Sequence, residues 1–181
     1  MAAGVAVVLL LACGIGGFVW YQRSGGGDPA DLNGMVDYRQ DNPAMLSRDH
    51  EEGPVFYPIS PPVGGVHHSR WQNCMGDVYP FPIEDGHAVH SLEHGAVWIT
   101  HRPDLPQSEV ERLATRVQGQ PFMLMSPHPE QDSPISLQAW GYQLAVEEAD
   151  DERIDEFVRR FRETASMEPG APCSGGVTTV R

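Results

Sequence analysis

The chain reads as an α+β protein: a small β-sheet with helices packed on one face, in β-α-β-β-α order. A long irregular Pro/Gly-rich N-terminal half and one N-terminal transmembrane helix precede it. Three observations predict this. Short apolar runs alternate with amphipathic ones in the second half. The 19 glycines and 16 prolines among 181 residues call for much loop. No residue from Met1 to Tyr21 is charged.

That uncharged run sits within "MAAGVAVVLLLACGIGGFVWYQR", and roughly 20 apolar residues suffice to cross a bilayer as a helix. Trp20 and Tyr21 stand where an interfacial aromatic belt belongs. Residues 1–23 are therefore read as a single-pass anchor in the cell membrane. "LLAC" (Leu10 to Cys13) also fits the pattern before a lipidated cysteine, although the apolar run continues through Phe18 and Val19 and no basic residue precedes it. A retained anchor, a cleaved signal and lipidation at Cys13 all stay open. "SGGGDP" (Ser24 to Pro29) opens a flexible linker over residues 24–34, and residues 35–181 form the soluble domain.

Of three cysteines, Cys13 lies in the anchor, which leaves Cys74 and Cys173 as a pair. An even pair in a tethered domain fits a disulfide, and with it an extracytoplasmic location. The one basic residue near the anchor, Arg23, argues weakly for the opposite side. Net charge is −13, which speaks against nucleic acid as a partner, since phosphates need basic surfaces.

"YPISPPVGG" (Tyr57 to Gly65) and "YPFPIEDG" (Tyr79 to Gly86) bar regular helix and interrupt ladders, so residues 30–86 read as irregular. "AVWIT" (Ala96 to Thr100) reads as a buried strand. In "PQSEVERLATRVQG", Val110, Leu113, Ala114 and Val117 form one helical face, with Ser108 able to cap the start and Gly119 the end. "FMLMS" (Phe122 to Ser126) is the next strand and "SLQAWGYQLAVE" (Ser136 to Glu147) another. "DDERIDEFVRRFRETA" is a helix with Ile154, Phe157, Val158 and Phe161 as its apolar stripe and Asp150 or Asp151 at its N-cap.

The chemistry concentrates in "HAVHSLEHG", His87 to Gly95. A helix over residues 87–94, stopped by Gly95, puts His87, His90 and His94 on one face. Imidazole is the usual protein ligand for zinc, copper and nickel. Glu93 points about 100° away from His94 on such a helix and is less well placed. "HHSRWQNCM" adds His67, His68, Cys74 and Met75, and "MLMSPH" adds Met123, Met125 and His128. Thioether with imidazole suits copper better than zinc, yet Met123 and Met125, two apart on a strand, read more simply as core. His50 and His101 read locally as surface or packing residues. The candidate metal ligands are thus His90, His94, His87, His67, His68 and Glu93, for copper first and zinc second. "HSLEH" also matches the inverted zincin pattern H-x-x-E-H, but a two-turn helix in so small a chain does not enclose a peptide. No serine elbow and no phosphate loop are present.

Several stretches together carry a resemblance: "EGPVFYPISPPVGGVHHSRW", "HAVHSLEHGAVWITHRPDLP", "LMSPHPEQDSPISLQAWGYQLAV" and the later "EPGAPC". Over roughly residues 48–173 the chain resembles a bacterial domain-of-unknown-function family common in actinobacteria, whose members look like single-pass, extracytoplasmic membrane proteins. "HSLEHG" is its most specific element. By position the resemblance points to His50, His67, His90, Glu93 and His94. Members favour an aromatic where this chain has His101, so His101 is left out. The resemblance implies a compartment but no activity.

Two readings of function follow. One is an extracytoplasmic protein that binds copper or zinc through the His87/His90/His94 cluster. The other is a non-catalytic structural or interaction module of a cell-envelope membrane complex, its histidines holding the fold. The residues name no protein partner. A hydrolase would need a third protein ligand and an open coordination position.

Overall fold

The computed structural model describes residues 31–181. The expected anchor over residues 1–23, and the linker as far as residue 30, lie outside the described residues. Among the described residues no helix is long and apolar enough to cross a membrane. In chain order the elements are β1 (Val36–Asp37), α1 (Tyr38–Asp41), a 3-10 turn (Pro43–Met45), β2 (Met75–Val78), α2 (Asp85–His94), β3 (Val97–His101), α3 (Gln107–Val117), β4 (Met123–Pro127), β5 (Ile135–Ala139), β6 (Tyr142–Val146) and α4 (Arg153–Phe161).

Six strands form one mixed sheet in the order β1-β6-β5-β3-β4-β2. β3 and β4 run parallel at its centre, joined by α3 as the crossover. Val97 and Ile99 of β3 pair with Met123 and Met125 of β4, and all four enter the core shared with Leu113, Val117, Ile154, Phe157 and Phe161. The alternate residues, Trp98 and Leu124, face the other way into a second core with Ala88, Val89, Leu92 and Trp140. A central strand pair that is apolar on both faces must be covered on both. The expectation of helices on one face is therefore corrected: α3 and α4 cover one face, and α2 with the irregular segments covers the other.

Residues 136–147, expected as one strand, are instead a hairpin. β5 and β6 pair antiparallel from Ala139 opposite Tyr142, leaving Trp140 and Gly141 as a two-residue turn with Gly141 at φ 79°. Turning back at Trp140 lets Leu137, Ala139, Leu144 and Val146 share one core face, which explains their broken alternation. Ser108 does not cap α3: Pro106 stands at the cap position, and no side chain bonds there. At α4, Asp151 Oδ1 accepts the Arg153 backbone N–H at 2.9 Å. The half expected to be irregular supplies both sheet edges, β1 beside β6 and β2 beside β4.

Cys74 and Cys173 form the expected disulfide, with Cα atoms 4.9 Å apart and a sequence separation of 99. It joins the start of β2 to the C-terminal segment. That segment is also tied by bonds from Asn73 N to Val177 O (2.8 Å) and from Val177 N to Trp71 O (2.8 Å).

Candidate metal centre

α2 is a helix with two different faces and almost no exposed surface. Gly95, at φ 106°, ends it by directing its N–H at the carbonyls of Leu92 and Ser91. Ala88, Val89 and Leu92 lie on the sheet. His90, Glu93 and His94 point away from the sheet, yet they are only 5%, 1% and 4% exposed. The irregular segments that cover them do so by hydrogen bonds. His68 O, Pro172 O, Arg48 and His67 all reach this face.

The rings are oriented alike. His67 Nδ1 donates to Gly65 O at 2.7 Å, His90 Nδ1 to His68 O at 2.5 Å, and His94 Nδ1 to Pro172 O at 2.8 Å. Each bond places a proton on Nδ1. At His90 and His94 this leaves Nε2 as the unprotonated nitrogen, whereas His67 Nε2 carries a proton as well and donates it to the Glu93 carboxylate. His67 Nε2 lies 3.0 Å from Glu93 Oε2, and His94 Nε2 lies 3.6 Å from Glu168 Oε2. Ring centroids are 4.9 Å apart for His67 and His90, 4.6 Å for His90 and His94, and 5.0 Å for His50 and His90. Imidazoles bound to one ion at about 2.0–2.1 Å place their centroids roughly 5 Å apart.

Two groups of side chains are able to hold an ion. His50, His67, His90 and Glu93 form one, and His90, His94 and Glu168 the other, with the donor atoms of each group within 4.8 Å of one another. His90 belongs to both. His50 reaches the cluster because its main chain bridges that of His67, with Glu51 N bonded to His67 O at 2.8 Å and His67 N to Asp49 O at 3.1 Å.

Arg48 closes the network. Its Nε lies 2.6 Å from Glu93 Oε1 and its Nη2 lies 3.3 Å from Glu168 Oε1. Burial opposes the charge on Glu93, but the hydrogen bonds and charges of His67 and Arg48 outweigh it and hold the carboxyl at about 2. Burial pushes His90 down to about 4, and the neighbouring rings of His94, His67 and His50 add to this against the pull of the His68 carbonyl. Burial also lowers His94, against the Pro172 carbonyl and the charge of Glu168. Near neutral pH both rings are therefore neutral, the form that ligates.

Of the six residues expected from sequence, the structure gathers His67, His90, Glu93 and His94. It does not gather His87 and His68. Those two rings pair with each other, 4.4 Å apart, and hold the carbonyls of Arg70 and Glu51. His87 lies in the first turn of α2, where its ring meets the incoming chain at Arg70 before reaching the cluster. His50, Arg48 and Glu168 were missed; only the family resemblance pointed to His50. The thioethers also lie elsewhere. Met123 and Met125 are in the core on the far face of the sheet, and Cys74 is bonded to Cys173. His128 lies beside Asp85 and Trp98 instead.

A family model described as "Protein of unknown function (DUF3105)" matches residues 49–175. That span holds both donor groups and both cysteines and begins just after Arg48. No curated protein and no solved structure matches the chain.

Proposed function

The chain belongs to the DUF3105 family, and on that premise we propose that it is a membrane-anchored, extracytoplasmic protein that binds a transition metal around His90. One observation carries the reading: three buried imidazoles each fix Nδ1–H on a backbone carbonyl, and His90 lies within ligand-sharing distance of His67 on one side of the network and of His94 on the other. Ligating histidines characteristically hold their second nitrogen in this way, which sets the tautomer and the ring orientation in advance. The uncharged N-terminal run supports the anchor, and the disulfide supports an oxidising compartment.

The donor set is nitrogen and oxygen, without thiolate or thioether. That favours Cu(II) or Zn(II) over Cu(I). It removes the argument from methionine for copper and leaves the two dications level. The zincin pattern gains nothing from the geometry. A Glu93 carboxyl held near 2 by His67 and Arg48 is a weak base, poorly matched to proton abstraction near neutral pH.

A second reading has its own observation. Glu93 is fully paired by His67 and Arg48 without an ion, as it would be in a purely structural network. Metal analysis separates the two. The chain is stripped with EDTA, dialysed against Cu(II) or Zn(II), and its bound metal is quantified beside His90→Ala. Uptake near one ion per chain that disappears in the variant supports the centre. Uptake near zero in both supports the structural reading.

A further inference from the structure

The two donor groups meet at a single ring, and Arg48 spans their two carboxylates. We propose that the groups are two stations for one ion, which exchanges between the His50, His67 and Glu93 side and the His94 and Glu168 side while His90 stays bound, so that the buried centre can pass its ion to an outside acceptor. This rests on the metal reading of the cluster.

His90 limits the occupancy. Its Nδ1 is committed to the His68 carbonyl, so Nε2 is its one remaining lone pair, and one lone pair serves one ion. With His90 shared, filling both groups at once would leave one of them short of a ligand. The rings of His67 and His94 stand on either side of it, 4.9 and 4.6 Å away, so the ion changes partners by a short displacement without leaving His90.

The carboxylates of the two stations differ in access. Glu93 is 1% exposed, whereas Glu168 is 40% exposed; on the first side it is the ring of His50 that meets solvent. A carboxylate half in solvent can keep the ion while a competing ligand reaches it, which the buried and doubly paired Glu93 cannot. Arg48 supplies the counter-charge. It holds Glu93 and Glu168 at once, and its own side chain is 46% exposed. An ion arriving at one carboxylate repels the guanidinium, which remains paired with the other. The arginine thus neutralises whichever station is empty, and the exchange leaves no bare buried carboxylate.

The direction of a kinetic effect tests this. If Glu168 were only an extra ligand, removing it would speed release; if it is the exit station, removing it slows release. The full chain is stripped with EDTA, loaded with Cu(II), and mixed with excess chelator while transfer is followed by absorbance. Saturating stoichiometry is measured in parallel. We expect one ion per chain at saturation and transfer slowed about tenfold in Glu168→Gln. His94→Ala, which removes the other donor of that station, must move the same way. Two ions per chain at saturation, or transfer in Glu168→Gln at the wild-type rate or faster, overturns the two-station arrangement while leaving the centre itself intact. Failure to take up Cu(II) or Zn(II) at all overturns both.

Discussion

His94 Nδ1 donates to the carbonyl of Pro172 at 2.8 Å, one residue before the cysteine that is bonded to Cys74. The adjoining Cys173 carbonyl accepts from Trp71 Nε1 at 3.3 Å and from Cys74 N at 3.1 Å, and the Trp71 ring lies 4.8 Å from that of His94. The disulfide therefore holds in place the carbonyl that orients a candidate ligand.

Reduction by a dithiol, or Cys74→Ser with Cys173→Ser, is expected to lower stability by about 2–5 kcal/mol. If the chain stays folded, metal affinity falls by about tenfold or more, because His94 loses the bond that aims its Nε2. Thermal unfolding and a competitive Zn(II) titration, each with and without reductant, measure the two effects. An affinity that survives reduction in a folded chain would show that the Pro172 carbonyl is not needed.

Histidines three residues apart on α2 should behave differently. His90 is common to both donor groups, so His90→Ala is expected to abolish stoichiometric uptake. His87 pairs with His68 and bonds the Arg70 carbonyl, outside both groups, so His87→Ala is expected to keep affinity within about threefold while costing on the order of 1 kcal/mol of stability. Equal losses of uptake in the two variants would contradict the placement of His87.

Local patterns were legible where the physics is local. Val110 to Val117 and Ile154 to Phe161 show helical periodicity, Val97 to Thr100 and Met123 to Ser126 read as strands, and Gly95 stops α2 as expected. The helix offset of His87 from His90 and His94 was also legible, but it misled. Sharing a face does not make a residue share a ligand when another chain segment meets the first turn. Arg48, His50 and Glu168 lie in segments with no periodicity, and long-range contacts bring them in: a main-chain bridge to His67 for His50, and ion pairs for the other two. β1 and β2, of two and four residues, are too short to leave a pattern. The covering of both sheet faces was written in the alternation of β3, since Trp98 opposes Val97 and Ile99, but five consecutive buried residues hide an alternation.

The metal-free chain, held in EDTA, is expected to lose stability on acidification in two stages. Burial lowers His90 from 6.5 to about 4, so the unfolded chain binds that proton first. Its contribution is full above pH 6.5 and is lost as pH falls from there toward 4. His94, also lowered by burial, adds to this upper stage. Glu93 is lowered from 4.5 to about 2, burial being outweighed by His67 and Arg48, so its contribution is full above pH 4.5 and is lost toward 2. Urea unfolding at stepped pH should show both stages, with the upper one reduced in His90→Gln. A stability that stays flat from about pH 7 to about pH 5 would contradict the buried neutral ring.

Arg48 separates the metal reading from the structural one by the sign of two effects in one variant. In the metal-free chain Arg48 pairs with Glu93 and Glu168, so Arg48→Met is expected to destabilise by on the order of 1 kcal/mol, a modest cost because the guanidinium is 46% exposed. If the carboxylates also serve an ion, Arg48 competes with that ion, and removing it should raise Zn(II) affinity a few-fold, the equivalent of a similar pair energy. If the network is only structural, stability falls and no gain in affinity accompanies it. Chemical denaturation in EDTA and a competitive Zn(II) titration on the same preparation read both signs. A fall in stability together with unchanged or weaker Zn(II) binding would assign Glu93 and Glu168 to the scaffold and leave the imidazoles as the only ligands.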